Sequence, residues 1–255
     1  ATGYQLRRSM ETMGKEIIKI EHACKQYGAK KVLDDLALTI RKGETIALIG
    51  SSGTGKTTLF NVITGTIALD MGNVLIDGKE GKTYSSREKA KKLGMMTQKF
   101  DLVNELSVLN NVLAGRLADW SFMKSLISFI HPMEKPVAEK VLEQVHLSDK
   151  MYEKVANLSG GEQQRVALAR VLVQNPEILL ADEPIASLDP ALSESVIRML
   201  INLTREHGIT LLCSIHSVEY AVQYFDRVIG LKEGKLFIDS ATKDVPEERL
   251  KELYQ

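Results

Sequence analysis

The sequence predicts an α/β protein on a mainly parallel sheet, with a helical segment inserted between the strands. Three observations carry this prediction. Compact apolar runs of strand length alternate with stretches of helical periodicity. One such run, "ETIALIG" (Glu44–Gly50), passes straight into a glycine-rich loop and a helix. After Gln98 the text changes, as far as Leu158, to Met, Leu and Val at irregular helical spacing.

The elements follow in order. "EIIKIEHA" and "LALTI" read as early strands, and "KTTLFNVITG" is a helix closed by Gly65. "NVLIDGK" is a strand running into a glycine turn, and "KLGMMTQ" (Lys92–Gln98) a buried strand. Ser107 is placed to cap a helix over "VLNNVLAGRL". "EILLADEP" reads as a strand, "ALSESVIRMLINLTREHG" as a helix and "ITLLCSIH" as a strand. "RVIGLKEGKLFIDS" reads as a hairpin turning at Glu233–Gly234. With no repeat and no low-complexity linker, residues 15–255 read as a single domain, its helical subdomain spanning roughly 99–172. Residues 1–14 read as a poorly ordered tail or cloning remnant, with Met10 or Met13 as a native start.

Composition narrows the function classes. Lys+Arg and Asp+Glu both number 33, so formal net charge is zero, which argues against a nucleic-acid partner. Cys24 and Cys213 form no C-x-x-C pair, which suits a reducing compartment and no zinc site. The strongest apolar runs are strand-sized, well short of a membrane span, and the start lacks the apolar core of a secretory signal. A soluble, cytoplasmic chain is expected.

The chemistry begins at "GSSGTGKT", Gly50 to Thr57, which fits G-x-x-x-x-G-K-[ST] after a strand and before a helix. Gly50, Ser51, Ser52, Gly53, Thr54 and Gly55 form a loop whose N–H groups can wrap phosphates. Lys56 adds a point charge, Thr57 offers Mg²⁺ a hydroxyl, and Thr58 continues the helix start. A Mg²⁺–nucleotide site also needs a carboxylate on a strand. "ILLADEP" ends in Asp182, suited to the magnesium shell, and Glu183, which Pro184 frees to turn toward a γ-phosphate and activate water. A nucleotide with Mg²⁺ is the cofactor these residues call for; the resemblance given below makes the nucleotide ATP.

A second helix start raises a separate question. In "NLSGGEQQRVALARVLVQNP", Ser159 and Glu162 have the S-x-x-E spacing of a capping box, yet Gly160 and Gly161 lie between them. Glycine weakens a helix. Either the missing Cβ atoms let an anion approach the exposed N–H groups and the dipole, or a turn glycine has drifted inward. On this stretch alone both readings stand.

"LSGGE" at Leu158–Glu162, the phosphate loop upstream and "LLADEP" downstream together resemble the ATP-binding cassette (ABC) ATPases, in the right order from about Lys15. The resemblance implies a P-loop NTPase core, an N-terminal antiparallel β subdomain and an inserted helical subdomain. It implies a head-to-tail homodimer on ATP binding, in which Ser159, Gly160, Gly161 and Glu162 face the γ-phosphate held by the other protomer. Gln98 resembles the Q-loop glutamine that touches magnesium and water, and His216 the switch histidine at the γ-phosphate. Ser187, Leu188 and Asp189, in "SLDP", resemble the D-loop. Tyr27 stands where the family places an adenine-stacking aromatic, although a core tyrosine fits the same text.

The segment "NVLAGRLADWSFMKSLISFIHP" (Asn111–Pro132) looks like the permease-docking segment of bacterial phosphonate and phosphite importer ATPases. That implies an ATPase energising uptake through separate integral-membrane permeases and a substrate-binding protein, peripheral on the cytoplasmic face of the inner membrane. Polar amino-acid, methionine and lipoprotein systems share much of this text. A non-transport cassette ATPase and a nucleotide-dependent regulator are the alternatives of other classes.

Overall fold

The computed structural model describes residues 14–117, 134–186 and 188–254. These form two compact units, one holding residues up to Ser85 and from Gly208 onward, the other Ser86–His207.

In the first unit, β1 (Glu16–Tyr27), β2 (Lys30–Arg41), β4 (Met71–Ile76) and β5 (Lys79–Glu80) make an antiparallel sheet in the order β2-β1-β4-β5. Leu36, Leu38 and Ile40 on β2 alternate with more exposed neighbours and are buried, as a strand packed on one face requires. β1 bulges at His22, whose φ is 50°. A Cβ on Gly72 would lie 2.3 Å from the His22 carbonyl oxygen, so the bulge presses on β4 where only glycine fits.

The same unit holds β3 (Thr45–Ile49), β8 (Thr210–Ser214), β9 (Arg227–Lys232) and β10 (Lys235–Ala241). β3 lies between β8 and β9 and is parallel to both, while β10 returns antiparallel to β9. Every residue of β3 is buried, which explains its unbroken apolar text. The β9–β10 turn falls at Glu233 (φ 51°) and Gly234 (φ 77°), the paired positive values of a two-residue hairpin and the predicted place. Its tip rests on β2, with the Asp34 N–H donating to the Gly234 carbonyl at 3.0 Å. Helix α1 (Lys56–Thr64) ends on Gly65 at φ 77°, as predicted.

In the second unit, β6 (Leu93–Met96) pairs in parallel with β7 (Ile178–Asp182). Around them lie α2 (Ser86–Lys92), α3 (Val108–Leu113), α4 (Lys135–Gln144), α5 (Gly160–Gln174) and α6 (Pro190–Glu206). Ser107 caps α3, its hydroxyl accepting from the Asn110 N–H at 3.2 Å. α5 ends at Asn175 in the left-handed conformation, just before Pro176. A Cβ on Gly94 would lie 2.5 Å from a Val171 methyl, so β6 and α5 touch at that glycine.

Helices α2, α7 (Val218–Tyr224) and α8 (Glu247–Glu252) were not predicted. Each has at most two turns, too few to display a period. Among the described residues no helix is long and apolar enough to cross a membrane.

Candidate functional site

In the first unit the loop from Gly50 to Gly55 joins β3 to α1, and its glycines are demanded by geometry. Gly50, Gly53 and Gly55 have φ of 151°, 78° and 103°. A Cβ on Gly50 would meet the Leu231 carbonyl oxygen at 2.4 Å, and one on Gly55 the Val32 carbonyl oxygen at 2.6 Å. Both are backbone atoms that cannot step aside. Thr54 braces the loop, its hydroxyl donating to the Ser51 carbonyl at 2.9 Å. Lys56 is buried, and its ammonium donates to the Gly50 and Ser51 carbonyls at 2.7 and 3.2 Å, beneath the loop it follows. Ser52 and Thr57 are exposed, while Ser51 and Thr58 are half-buried.

No side chain caps α1, and its first turn carries no acidic residue. An uncapped helix start leaves N–H donors and the positive end of the dipole available to an anion. With the buried ammonium beside it, the loop fits a polyphosphate. Tyr27, at the end of β1, is 47% exposed, which settles the alternative left by the sequence: it is no core tyrosine. The Lys25 ammonium lies 5.6 Å from its ring. His216 stands exposed just beyond β8, before Ser217, which caps α7.

In the second unit the capping box at the start of α5 is formed. The Ser159 N–H donates to Glu162 Oε2 at 2.8 Å, and the Ser159 hydroxyl accepts from the Glu162 N–H at 3.4 Å. Lys150 binds the other Glu162 oxygen at 2.5 Å. Its ammonium, with the Ser159 amide and hydroxyl, holds the Glu162 carboxyl down to about 2. The two glycines turn out to differ. Neither has a positive φ, so neither is a displaced turn glycine. A Cβ on Gly161 would meet Leu192 Cδ2 at 2.5 Å, so this glycine lets α6 approach. Among the described residues a Cβ on the exposed Gly160 would meet only Leu188, at 3.9 Å, so none of them asks for its bareness.

Asp182 closes β7 and is buried, and Glu183 follows it half-buried. Glu183 has φ of 49°, a left-handed backbone that a non-glycine residue adopts only when its surroundings impose it. Gln98 was expected to end a strand; instead β6 stops at Met96 and Gln98 lies exposed in a turn. The turn is tightened by Phe100 and Asp101, with φ of 60° and 47°. Thr97 donates to Asp101 Oδ2 at 2.7 Å, and the Arg170 guanidinium donates to the Phe100 and Asp101 carbonyls at 2.5 and 2.7 Å. Asp189 is the N-cap of α6, accepting from the Leu192 N–H at 3.1 Å, and Leu188 is half-buried beside it. Ser187 lies outside the described residues, as does the part 118–132 of the segment Asn111–Pro132.

Among the described residues no cluster of three or more His, Cys, Asp or Glu side chains makes a metal cage. Mg²⁺ shared with phosphates and waters needs only one or two protein oxygens, a kind of ligand that the Thr57 hydroxyl in the first unit and the Asp182 carboxyl in the second each offer.

The family profile described as "ABC transporter" matches residues 33–186, from β2 through the phosphate loop, the α5 start and Glu183. The chain belongs to the ABC transporter family. As such it has the ABC ATPase fold and hydrolyses ATP. Two curated relatives are the phosphonates import ATP-binding protein PhnC 1 of Nostoc sp. and PhnC of Lactobacillus acidophilus. The first is 40% identical, over 93% of this chain and 91% of its own length. The second is 41% identical, over 94% and 95%. A nucleotide-free cassette of an ABC transporter superposes with a TM-score of 0.80 at 30% identity, covering 94% of this chain and 95% of that one. A dimeric cassette in a post-hydrolysis state, bound to ADP and phosphate, superposes with a TM-score of 0.75 at 29% identity, covering 90% and 100%.

Sequence reasoning missed three contributors to this ABC cassette's sites. Lys150 gives no local sign of pairing with Glu162, and the left-handed backbone at Glu183 is written in no residue preference. Arg170 did carry a signal: it is a lone charge inside the apolar run "VALARVLV".

Proposed function

We propose that this chain is the ATP-binding and hydrolysing subunit of a bacterial ABC importer of phosphonate or phosphite, working through a separate permease. The observation that carries the reading is the loop at Gly50–Thr58, with Lys56 buried beneath it at the head of an uncapped helix. The cargo rests on the near-full-length similarity to phosphonate import proteins.

In this reading residues 15–255 work as one cassette. The loop amides and Lys56 bind the β- and γ-phosphates, and Tyr27 stacks on adenine through its exposed face. Thr57, Asp182 and Gln98 hold Mg²⁺, which when bound neutralises phosphate charge. Glu183 orients the attacking water and takes its proton as oxygen bonds to the γ-phosphorus, and ADP leaves with the electron pair of the broken P–O bond. His216 contacts the γ-phosphate. Ser159, Gly160, Gly161 and Glu162 serve the nucleotide of a second copy, packed head to tail, and Ser187, Leu188 and Asp189 shape that opposite site. The exposed position of Gly160, where a Cβ would make no overlap with the described residues, supports the cross-dimer role. The assembly lies at the cytoplasmic face of the membrane, on permease subunits that receive cargo from a substrate-binding protein.

The test is reconstitution with the cognate permease and binding protein in vesicles. Methylphosphonate or phosphite should stimulate ATP hydrolysis only in the full assembly, because a ligand without differential contact to this chain cannot shift its states. Lys56→Ala should abolish that stimulated rate. Stimulation by a polar amino acid alone would discard the cargo and keep the importer.

A further inference from the structure

The end of the described chain is built into the phosphate loop's surroundings. α8 has six residues and would not persist alone. It is pinned by Leu250 and Leu253, both buried, and Leu253 Cδ1 lies 3.3 Å from where a Cβ on Gly230 would sit. The Lys232 ammonium donates to the Glu252 carbonyl at 2.6 Å. Docked in this way against β9, the helix delivers Tyr254.

The Tyr254 hydroxyl donates to the His216 carbonyl at 3.2 Å. Desolvation pushes the phenol above its ordinary pKa although the residue is still 39% exposed, and the Gly50 backbone opposes that shift. The hydroxyl therefore joins the docked helix α8 to the backbone of the segment carrying His216. Packing alone does not require that oxygen, since a phenylalanine ring fills the same space.

We propose that Tyr254 is a positioning residue that ties the His216 segment to the docked helix α8, so that hydrolysis depends on that helix. The proposal rests on the role given above to His216.

Tyr254→Phe in the full chain removes the hydroxyl and keeps the ring. The kcat for ATP should fall about fivefold, the weight of one hydrogen bond, while KM changes by less than about twofold. Amide exchange should quicken in peptides covering 214–218 and stay unchanged over 247–253. His216→Ala, measured alongside, should lose hydrolysis; if it retains full activity, the reading of His216 fails whatever Tyr254 does. With His216→Ala inactive, a Tyr254→Phe protein of unchanged kcat overturns the positioning role. So does a lowered kcat with faster exchange over 247–253, which would mean mere undocking, or with no change over 214–218.

Discussion

Replacing Gly160 by alanine sets stability against activity. The residue lies at the first position of α5 without a positive φ, and among the described residues the added methyl would have only Leu188 near it, at 3.9 Å. It overlaps none of them. Alanine restricts the unfolded chain and suits a helix better, which is worth about 0.5 kcal/mol. For a chain of this size that raises Tm by about 1 to 2 °C. The same methyl stands over the N–H groups that the cross-dimer reading assigns to phosphate. ATP should still bind the Gly50–Thr58 loop, while steady-state hydrolysis should drop more than about tenfold, because anion approach to a helix start depends on close backbone contact. Calorimetry, nucleotide titration and a phosphate-release assay read the three quantities. Gly161→Ala is the contrast: its methyl overlaps Leu192, so it should lower Tm, and Leu192→Ala should restore it. A Gly160→Ala protein that hydrolyses ATP at the wild-type rate would refute the assignment of this glycine to an anion. One that loses stability would refute the strain-free fit of the methyl beside Leu188.

Two further outcomes are expected. Glu183→Gln should retain nucleotide and lose hydrolysis by about two orders of magnitude or more, and sizing chromatography with ATP and Mg²⁺ should show more dimer than wild type; normal turnover would mean that Glu183 is not the base. Glu162, held at about 2 against an ordinary 4.5, contributes stability that is present above pH 4.5 and lost as pH falls from there through 2. Glu162→Gln should therefore flatten the acid limb of a stability–pH curve and lower Tm at pH 7, an unchanged limb counting against the Lys150–Glu162 pair.

The parts of the site legible from text are those whose partners are close in sequence. The phosphate loop is contiguous, so its spacing describes its geometry. The capping box needs residues three apart, and Ser159 and Glu162 form it as expected. The hairpin at Glu233–Gly234 and the caps at Ser107 and Gly65 are local for the same reason. Gln98 was placed on a strand because its neighbours are apolar; the turn that claims it is imposed by Arg170, 72 positions along in the chain by the numbering. The composition could not divide the roles of Gly160 and Gly161, since a missing Cβ looks the same whether it admits a leucine or an anion.

What the sequence by itself determined is the alternation of strands and helices, the glycine-rich loop at Gly50–Thr58 between a strand and a helix, and the family. Each is encoded by residue types at short spacings, where backbone preference and side-chain reach act without help. The tertiary structure alone decided that Gly50 and Gly55 are held against the carbonyls of Leu231 and Val32, and that Glu183 carries a left-handed backbone. It also decided that Lys150 lowers the pKa of Glu162 and that Tyr254 reaches His216. These are meetings of residues brought together by burying apolar surface, a force that is not directional and leaves no mark at either position in the chain.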